Sequence, residues 1–191
     1  PLNKKDLPDL KMVLEAVEKL SKIIKKKDFI IFESTFFPGT VENILIPIIE
    51  KLSKLKCGSD FHVGYSPERI NPGDKKHKLE NIKKIISSNS EIGKTKIKYL
   101  YKKIIKAGLH EVSSIKSAEL VKLLENSQRY VNIALINQIS TLCNKINIQT
   151  KEVIDAAASK WNFMKFFPGL VGGHCVAVDP LYLSFTQKKL G

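Results

Sequence analysis

Four stretches of the chain hold residue types whose spacing suits chemistry. In AELVKLLENSQRYVNIAL (118–135), Lys122, Asn126 and Arg129 stand at i, i+4 and i+7, so on a helix they share one face, with Glu119 three residues before Lys122. A shared polar face could line a site, although a solvated helix face would carry the same residues. Asn126 favours the functional reading, because asparagine is a poor helix-interior residue. In GLVGGHCVAVDP (169–180), Gly172 and Gly173 would let backbone approach a ligand beside Cys175, and Asp179 follows four residues on, where it would orient or activate a water. Cys175 is either a nucleophilic thiolate or a small residue in a tight turn, and the residues alone leave both open. His174 is its neighbour in sequence, and neighbouring side chains diverge, so no Cys–His dyad is assigned.

The third stretch, ESTFFPGTVE (33–42), puts Ser34 and Thr35 between a strand pattern and a Pro-Gly turn. The fourth, GYSPERINPGD (64–74), puts Glu68 and Arg69 in the same position after the next strand pattern. Open α/β sheets bind ligands in loops at the carboxyl ends of parallel strands, so Glu68 and Arg69 would face the same crevice as Thr35. Ordinary strand-to-helix connections use the same residue types.

The elements that must hold these residues fall into two registers. From Asp9 to about Ser114 amphipathic helices alternate with short apolar strands, the pattern of a parallel sheet flanked by helices. Leu10, Val13, Val17, Leu20 and Ile24 give a first helix, 28–33 a buried strand, and 41–54 a second helix that Pro47 should kink or shorten. Strands are predicted at 61–65, 82–87 and 110–114, with a lysine-rich helix over 92–106. After Ser114 the strand patterns stop. One helix is predicted from Ile115 to about Asn147, with Ala118, Val121, Leu124, Leu135, Ile139 and Leu142 as its apolar stripe, and a second over 150–160. About 30 helical residues span roughly 45 Å, more than one small domain needs, so this helix should join two domains or make a dimer interface. The chain begins with proline and its βα pattern opens on a helix, so it reads as cut at both ends; no G-x-G-x-x-G occurs, and if the sheet binds a nucleotide its first half is missing.

Composition narrows the field. The 191 residues are 43% hydrophobic, enough for a globular core, and no run of about 18 apolar residues or signal peptide appears, so no membrane partner is expected and the cytoplasm is the expected location. The net charge is +13, yet only Arg69 and Arg129 are arginines among 32 basic residues. Planar bidentate contacts to bases or phosphates are therefore scarce, and the lysines read as solvated helix faces rather than a nucleic-acid surface. Cys57, Cys143 and Cys175 are far apart and odd in number, which argues against a disulfide framework or a structural metal site.

Taken in order, ESTFFPGTVE, GYSPERINPGD, SSIKSAELVKLLENSQRYVNIALINQ (113–138) and KWNFMKFFPGLVGGHCVAVDPLYL (160–183) make the chain resemble the UDP-glucose/GDP-mannose dehydrogenase family across nearly its whole length, most closely the branch that acts on UDP-N-acetylhexosamines. The resemblance implies an α/β fold. Residues 1–114 would be the later part of a Rossmann-like NAD-binding domain, and residues 115–191 an all-α central dimerisation domain with one long helix. It implies NAD as cofactor, a UDP-sugar substrate and a homodimer, with no nucleic-acid or membrane partner.

The implied reaction is oxidation of the sugar C6 alcohol to a uronate through a cysteine thioester, for surface polysaccharide biosynthesis. Carried over residue by residue, Cys175 matches the nucleophile, and Lys122 matches the lysine that assists alcohol deprotonation and stabilises the oxyanion, with Asn126 beside it. Asp179 matches the aspartate that works with an ordered water, Thr35 a threonine holding such a water near the cofactor, and Glu68 a glutamate promoting thioester hydrolysis. Ser34, Thr35 and Glu68 would border the cofactor; Arg69, Arg129, Gly172 and Gly173 would border the substrate. The sequence departs from the family pattern at two places. Pro72 stands where the glucose branch has a second glutamate, as the N-acetylhexosamine branch also shows. Lys165 and Phe167 stand where that branch has proline and arginine. A UDP-glucose or UDP-N-acetylmannosamine dehydrogenase, or a non-catalytic dimerisation module, are the alternatives.

Overall fold

Short runs of branched and aromatic residues make the sheet. In the computed structural model, which describes residues 1–68, 70, 77–172 and 174–190 apart from the side chains of His174, Cys175 and Leu190, β1 (Phe29–Phe32) and β2 (His62–Tyr65) pair in parallel from Phe29 opposite His62 to Phe32 opposite Tyr65. β3 (Lys84–Ser88) runs antiparallel to β2 and parallel to β4 (Leu109–Glu111), giving the order β1-β2-β3-β4. The sheet is therefore mixed where a parallel one was expected. A parallel return needs a crossover element, usually a helix. The chain between β2 and β3 supplies, among the described residues, only the short 3-10 turn Leu79–Asn81.

Helices cover both faces. α1 (Lys11–Ser21) and α2 (Ile46–Ser53) close one side over Val17, Val41, Leu45, Ile49, Phe61 and Val63, while α3 (Glu91–Lys102) closes the other through Ile97 and Tyr101 against Ile86. Gly64 shows how tightly the second side is packed. A Cβ there would lie 2.8 Å from the Phe29 ring and 2.9 Å from the Ile97 methyl, so the centre of β2 has no room for a side chain on that face. Pro47 does not kink the expected second helix at its own position. The five residues before α2, Val41–Leu45, take a wider π-helical turn that runs directly into α2, where Pro47 falls in the first turn. There a proline without an N–H is tolerated.

α4 (Ile115–Lys145) starts at Ser114, whose hydroxyl caps the helix by accepting from the Ser117 N–H at 3.0 Å. Its first four turns lie against the sheet and against α6 (His174–Leu190), with α5 (Thr150–Ala157) packed near its far end. The buried face of α4 is not the predicted apolar stripe. Ile115, Ala118, Glu119, Lys122, Leu123, Asn126 and Ser127 are buried, whereas Leu124, Leu135 and Leu142 are more than half exposed. Only Ala118 belongs to both sets. The period was right and the phase was not, because polar residues on the buried face look like a solvated stripe to a hydrophobicity pattern.

α6 was not expected. Its backbone is helical from His174 onward with Pro180 inside, so Cys175 sits in the first turn of a helix and not in a tight turn. Glycines before it and a proline within it are breaker signals that hide such an element. α6 is anchored by the Tyr182 hydroxyl donating to the Pro1 carbonyl at 2.8 Å, and by Phe185 meeting Phe37 edge-on at 5.0 Å between ring centres. Among the described residues no helix is long and apolar enough to cross a membrane.

Candidate active site

The polar face of α4 points at the carboxyl ends of β1 and β2. Lys122, 7% exposed, donates from Nζ to the backbone carbonyl of Glu68 at 3.0 Å. One turn on, the buried Asn126 donates from Nδ2 to Oδ2 of the buried Asp179 of α6 at 2.5 Å. One turn earlier, Glu119 is fully buried and accepts from the backbone N–H groups of Gly39 at 2.6 Å and Val41 at 3.0 Å. Three successive turns of one helix thus clamp the loop after β1, the loop after β2, and α6. Burial pushes the Glu119 carboxyl up to about 7, against the opposing pull of the two amides. The Tyr65 phenol is raised as well, by burial and then by nearby Glu119, and it donates to the Ser34 carbonyl at 3.0 Å.

Glu68 is held at three points. Besides Lys122 on its carbonyl, its carboxylate accepts from the Ile70 N–H at 2.8 Å and from Lys84 Nζ at 3.1 Å. Ser34 is exposed and Thr35 half-buried in the loop that follows β1, with Gly39 at φ +89° completing the turn. Because β1 and β2 are parallel neighbours, both loops open on the same edge, as expected for a crevice. Lys122, Asn126, Asp179 and Glu68 are therefore brought together, with Cys175 four residues before Asp179 in α6. The Cys175 side chain, Arg69 and Gly173 lie outside the described residues. Arg129 is exposed, past the end of the buried face. Gly172 is exposed too, with nothing within 4 Å of a hypothetical Cβ, so its own chain does not demand a glycine there.

The other thiols are not disposed for chemistry. Cys57 is pushed up to about 11, chiefly by burial and then by Glu50, and Cys143 is buried inside α4. Three residues that the sequence did not single out take part in the scaffold. Lys84 is one, hidden among consecutive lysines; Tyr101 is another, donating to Glu33 Oε1 at 2.5 Å. Asn137 is the third, pairing through its amide with both the N–H and the carbonyl of Gly169 at 2.8 and 2.9 Å, which pins the segment before α6 onto α4. Its i+11 spacing from Asn126 along α4 was the available signal. Lys165 and Phe167 pack locally: the Lys165 ammonium bonds Asp155 at 2.6 Å and lies 5.3 Å from the centre of the Phe167 ring.

A Rossmann-type half-sheet whose loops meet a polar helix is the architecture of nucleotide-dependent dehydrogenases that build part of the site on a second, helical unit. The sequence matches the UDP-glucose/GDP-mannose dehydrogenase family, its NAD binding domain over residues 1–105 and its central domain over residues 116–191. The chain belongs to that family. It is 48% identical over all 191 residues to a UDP-N-acetyl-D-glucosamine 6-dehydrogenase of Pseudomonas aeruginosa and 47% identical to the enzyme of the same name from Salmonella typhi. In each case it covers 45% of the relative. The structure superposes on that of a UDP-D-ManNAc dehydrogenase from Pyrococcus horikoshii with a TM-score of 0.89 and 34% identity, over 95% of this chain and 43% of the other. The chain thus spans about half the length of the relatives it matches.

Proposed function

We propose that these residues are the part of an NAD-dependent UDP-N-acetylhexosamine 6-dehydrogenase that joins the end of its cofactor domain, residues 1–114, to its central helical domain, residues 115–191. The full-length enzyme would act in the cytoplasm, oxidising UDP-GlcNAc or UDP-GalNAc at C6 to the uronate used in surface polysaccharides. The observation that carries this reading is the convergence of Lys122, Asn126, Asp179 and Glu68 at one edge of the sheet. The 48% identity supports the N-acetylglucosamine branch.

NAD+ fits as the group that, when bound, accepts a hydride from the sugar carbon in each of two rounds. The described residues suit only the reacting end of such a site: the exposed Ser34 and half-buried Thr35 lie in the loop after β1, next to the loop after β2 that carries Glu68, and no glycine-rich diphosphate cradle is in the sequence. The chain's own residues do the rest. Lys122 and Asn126 offer N–H donors to an oxygen that carries negative charge as C6 passes from alcohol to aldehyde, and the hydroxyl proton leaves through a water that Asp179 orients together with Asn126. The Cys175 thiolate adds to the aldehyde, and loss of the second hydride leaves a thioester. Water then forms a bond to the acyl carbon with Glu68 receiving its proton, the carbon–sulfur bond breaks, and the thiolate returns. The net change is one alcohol, two NAD+ and one water to one carboxylate, two NADH and three protons. The exposed Leu124, Leu135 and Leu142 would be covered by a second copy in a homodimer.

The test uses full-length enzyme with NAD+ and a panel of UDP-sugars. Wild type should release about two NADH per UDP-N-acetylhexosamine consumed, and Cys175→Ser should lose steady turnover. A folded protein that yields no NADH from any UDP-sugar would leave the non-catalytic reading in possession.

A further inference from the structure

Lys84 opens β3, yet its side chain is only 4% exposed. Its ammonium lies 3.1 Å from Glu68 Oε2, 3.3 Å from Glu33 Oε1 and 4.9 Å from the centre of the Tyr101 ring. Tyr101 in turn donates its hydroxyl to Glu33. Glu33 leaves β1 and Glu68 follows β2, so one cation joins the carboxyl ends of both parallel strands.

Stability is a poor reason for this arrangement. Taking an ammonium out of water is costly, and a well-packed apolar residue commonly serves a sheet as well or better than a buried ion pair. The network yields geometry instead. Two carboxylates sharing one edge repel each other, and a glutamate after a strand has free rotamers to swing outward. With Lys84 between them, the Glu68 carboxylate is fixed on Oε2 by the ammonium and on Oε1 by the Ile70 N–H, while its backbone is fixed by Lys122. Glu33, whose Oε1 accepts from the Tyr101 hydroxyl and also faces the ammonium, gives Lys84 a second anchor and so sets its position.

We propose that Lys84 is a positioning residue for thioester hydrolysis: its ammonium holds the Glu68 carboxylate where that group can take a proton from the attacking water. This rests on the proposed dehydrogenase function. Lys84 touches neither substrate nor cofactor in this scheme, and it acts only on the hydrolytic step, in which water oxygen bonds to the acyl carbon, its proton passes to Glu68, and the sulfur departs as thiolate.

The experiment compares full-length wild type with Lys84→Met, Lys84→Gln, Lys84→Arg, Glu68→Gln and the double variant Lys84→Met/Glu68→Gln, each checked for folding by circular dichroism. With UDP-GlcNAc and NAD+, folded Lys84→Met should keep a rapid burst approaching two NADH per site while steady kcat falls at least about tenfold, with KM within about twofold of wild type. Intact-mass spectrometry should find the acyl adduct accumulating on the protein, as in Glu68→Gln. Lys84→Arg should recover much of the rate, and the double variant should be no slower than Glu68→Gln alone, because the two residues act as a unit. Wild-type kcat in folded Lys84→Met overturns the inference, as does equal loss of burst and steady rate or additive loss in the double variant. If both Met and Gln variants fail to fold, Lys84 is a scaffold residue only and the inference is likewise wrong. Wild type without NADH from any UDP-sugar removes the functional reading and this inference together; an active wild type beside a normal Lys84→Met removes the inference alone.

Discussion

Two buried regions of the molecule differ in what they bury. Under α1 and α2 the interior is mainly apolar, with Val41, Leu45, Ile49, Phe61 and Val63 sealed from solvent and the buried Ser21 and Thr40 hydroxyls donating to nearby backbone carbonyls. Along the first turns of α4 the burial is as deep, but Glu119, Lys122, Asn126 and Ser127 share it with Ile115, Ala118 and Leu123, and Asp179 of α6 closes over them. Apolar burial stabilises by removing surface from water and is indifferent to which branched side chain does it. Polar burial costs free energy unless each group meets a partner, so it persists where orientation matters more than stability. The sheet half supplies the rigidity and the helix half supplies the aim. Substitutions should therefore separate the two regions, one losing stability and the other losing turnover.

The largest separation is expected at Lys122. Replacing it with alanine in the full-length enzyme should lower kcat by about 100-fold to 1000-fold, the scale for one preorganised oxyanion donor. Glu68, whose carbonyl loses its partner, is only partly buried, so the melting temperature should fall less than for a truncation in the sheet core. Initial-rate kinetics with UDP-GlcNAc beside a thermal melt would check both halves. A Lys122→Ala enzyme with full kcat would mean that the helix stripe is only scaffold.

Ile49→Ala should behave in the opposite way. The side chain is fully buried among Val17, Val41, Leu45 and Phe61, and its loss leaves a cavity that costs about 2–5 kcal/mol. Urea unfolding should show the loss, and kcat per folded molecule should remain near wild type. A matching drop in kcat would show that the sheet core tunes the site and that the two regions are not separable.

How much of this contrast can be read from the sequence depends on what each signal encodes. The strands and helices of the sheet half lie near their predicted positions, because alternation and helical period report burial directly when the buried residues are apolar. The same rule fails on α4. There it selects Leu124, Leu135 and Leu142, which this chain leaves exposed, and passes over Glu119 and Ser127, which it buries. Helical spacing did place Lys122 and Asn126 on one face, and the structure adds that this face meets the Glu68 carbonyl and Asp179. Spacing missed Lys84 because a buried lysine within a run of lysines has no local mark; only the approach of Glu33 and Glu68 from two other strands gives it meaning. The helical state of residues around Cys175 was masked by glycines and Pro180, which break helices unless tertiary packing such as that of Tyr182 and Phe185 holds them.

Glu119 gives the contrast a pH signature. Burial raises its folded carboxyl to about 7 from the ordinary 4.5, so between those values the folded protein holds a proton that the unfolded chain has lost. Stability from this group is therefore complete below about 4.5 and falls as pH rises toward 7. Glu42 strengthens the shift, while Lys116 and the Gly39 and Val41 amides oppose it. Glu119→Gln should remove that slope. Between pH 5 and 7.5 the wild type should lose about 2 kcal/mol more than the variant in urea unfolding, by the usual conversion of 1.36 kcal/mol per unit. Parallel curves for the two proteins would show that Glu119 is ionised in the folded state across this range, with the Gly39 and Val41 amides and not burial setting its charge.

The smallest effect on the folded chain, and the most informative about its surroundings, is expected on the outer side of α4. Leu135 is 56% exposed, and Leu142 two turns on is 51% exposed. Leu135→Glu removes little that this chain buries, so unfolding within one chain should shift by less than about 0.5 kcal/mol. If that side meets a second copy of the helix, however, a buried, unpaired carboxylate on each protomer of a symmetric interface would disfavour association twice over. Sedimentation velocity on the full-length protein should then show wild type as dimer and Leu135→Glu as monomer or a concentration-dependent mixture. Unchanged sedimentation would mean that these leucines face solvent or another part of the same chain. The buried polar face of α4 would in that case be aimed by α6 and the sheet alone, with no contribution from a partner across the long helix.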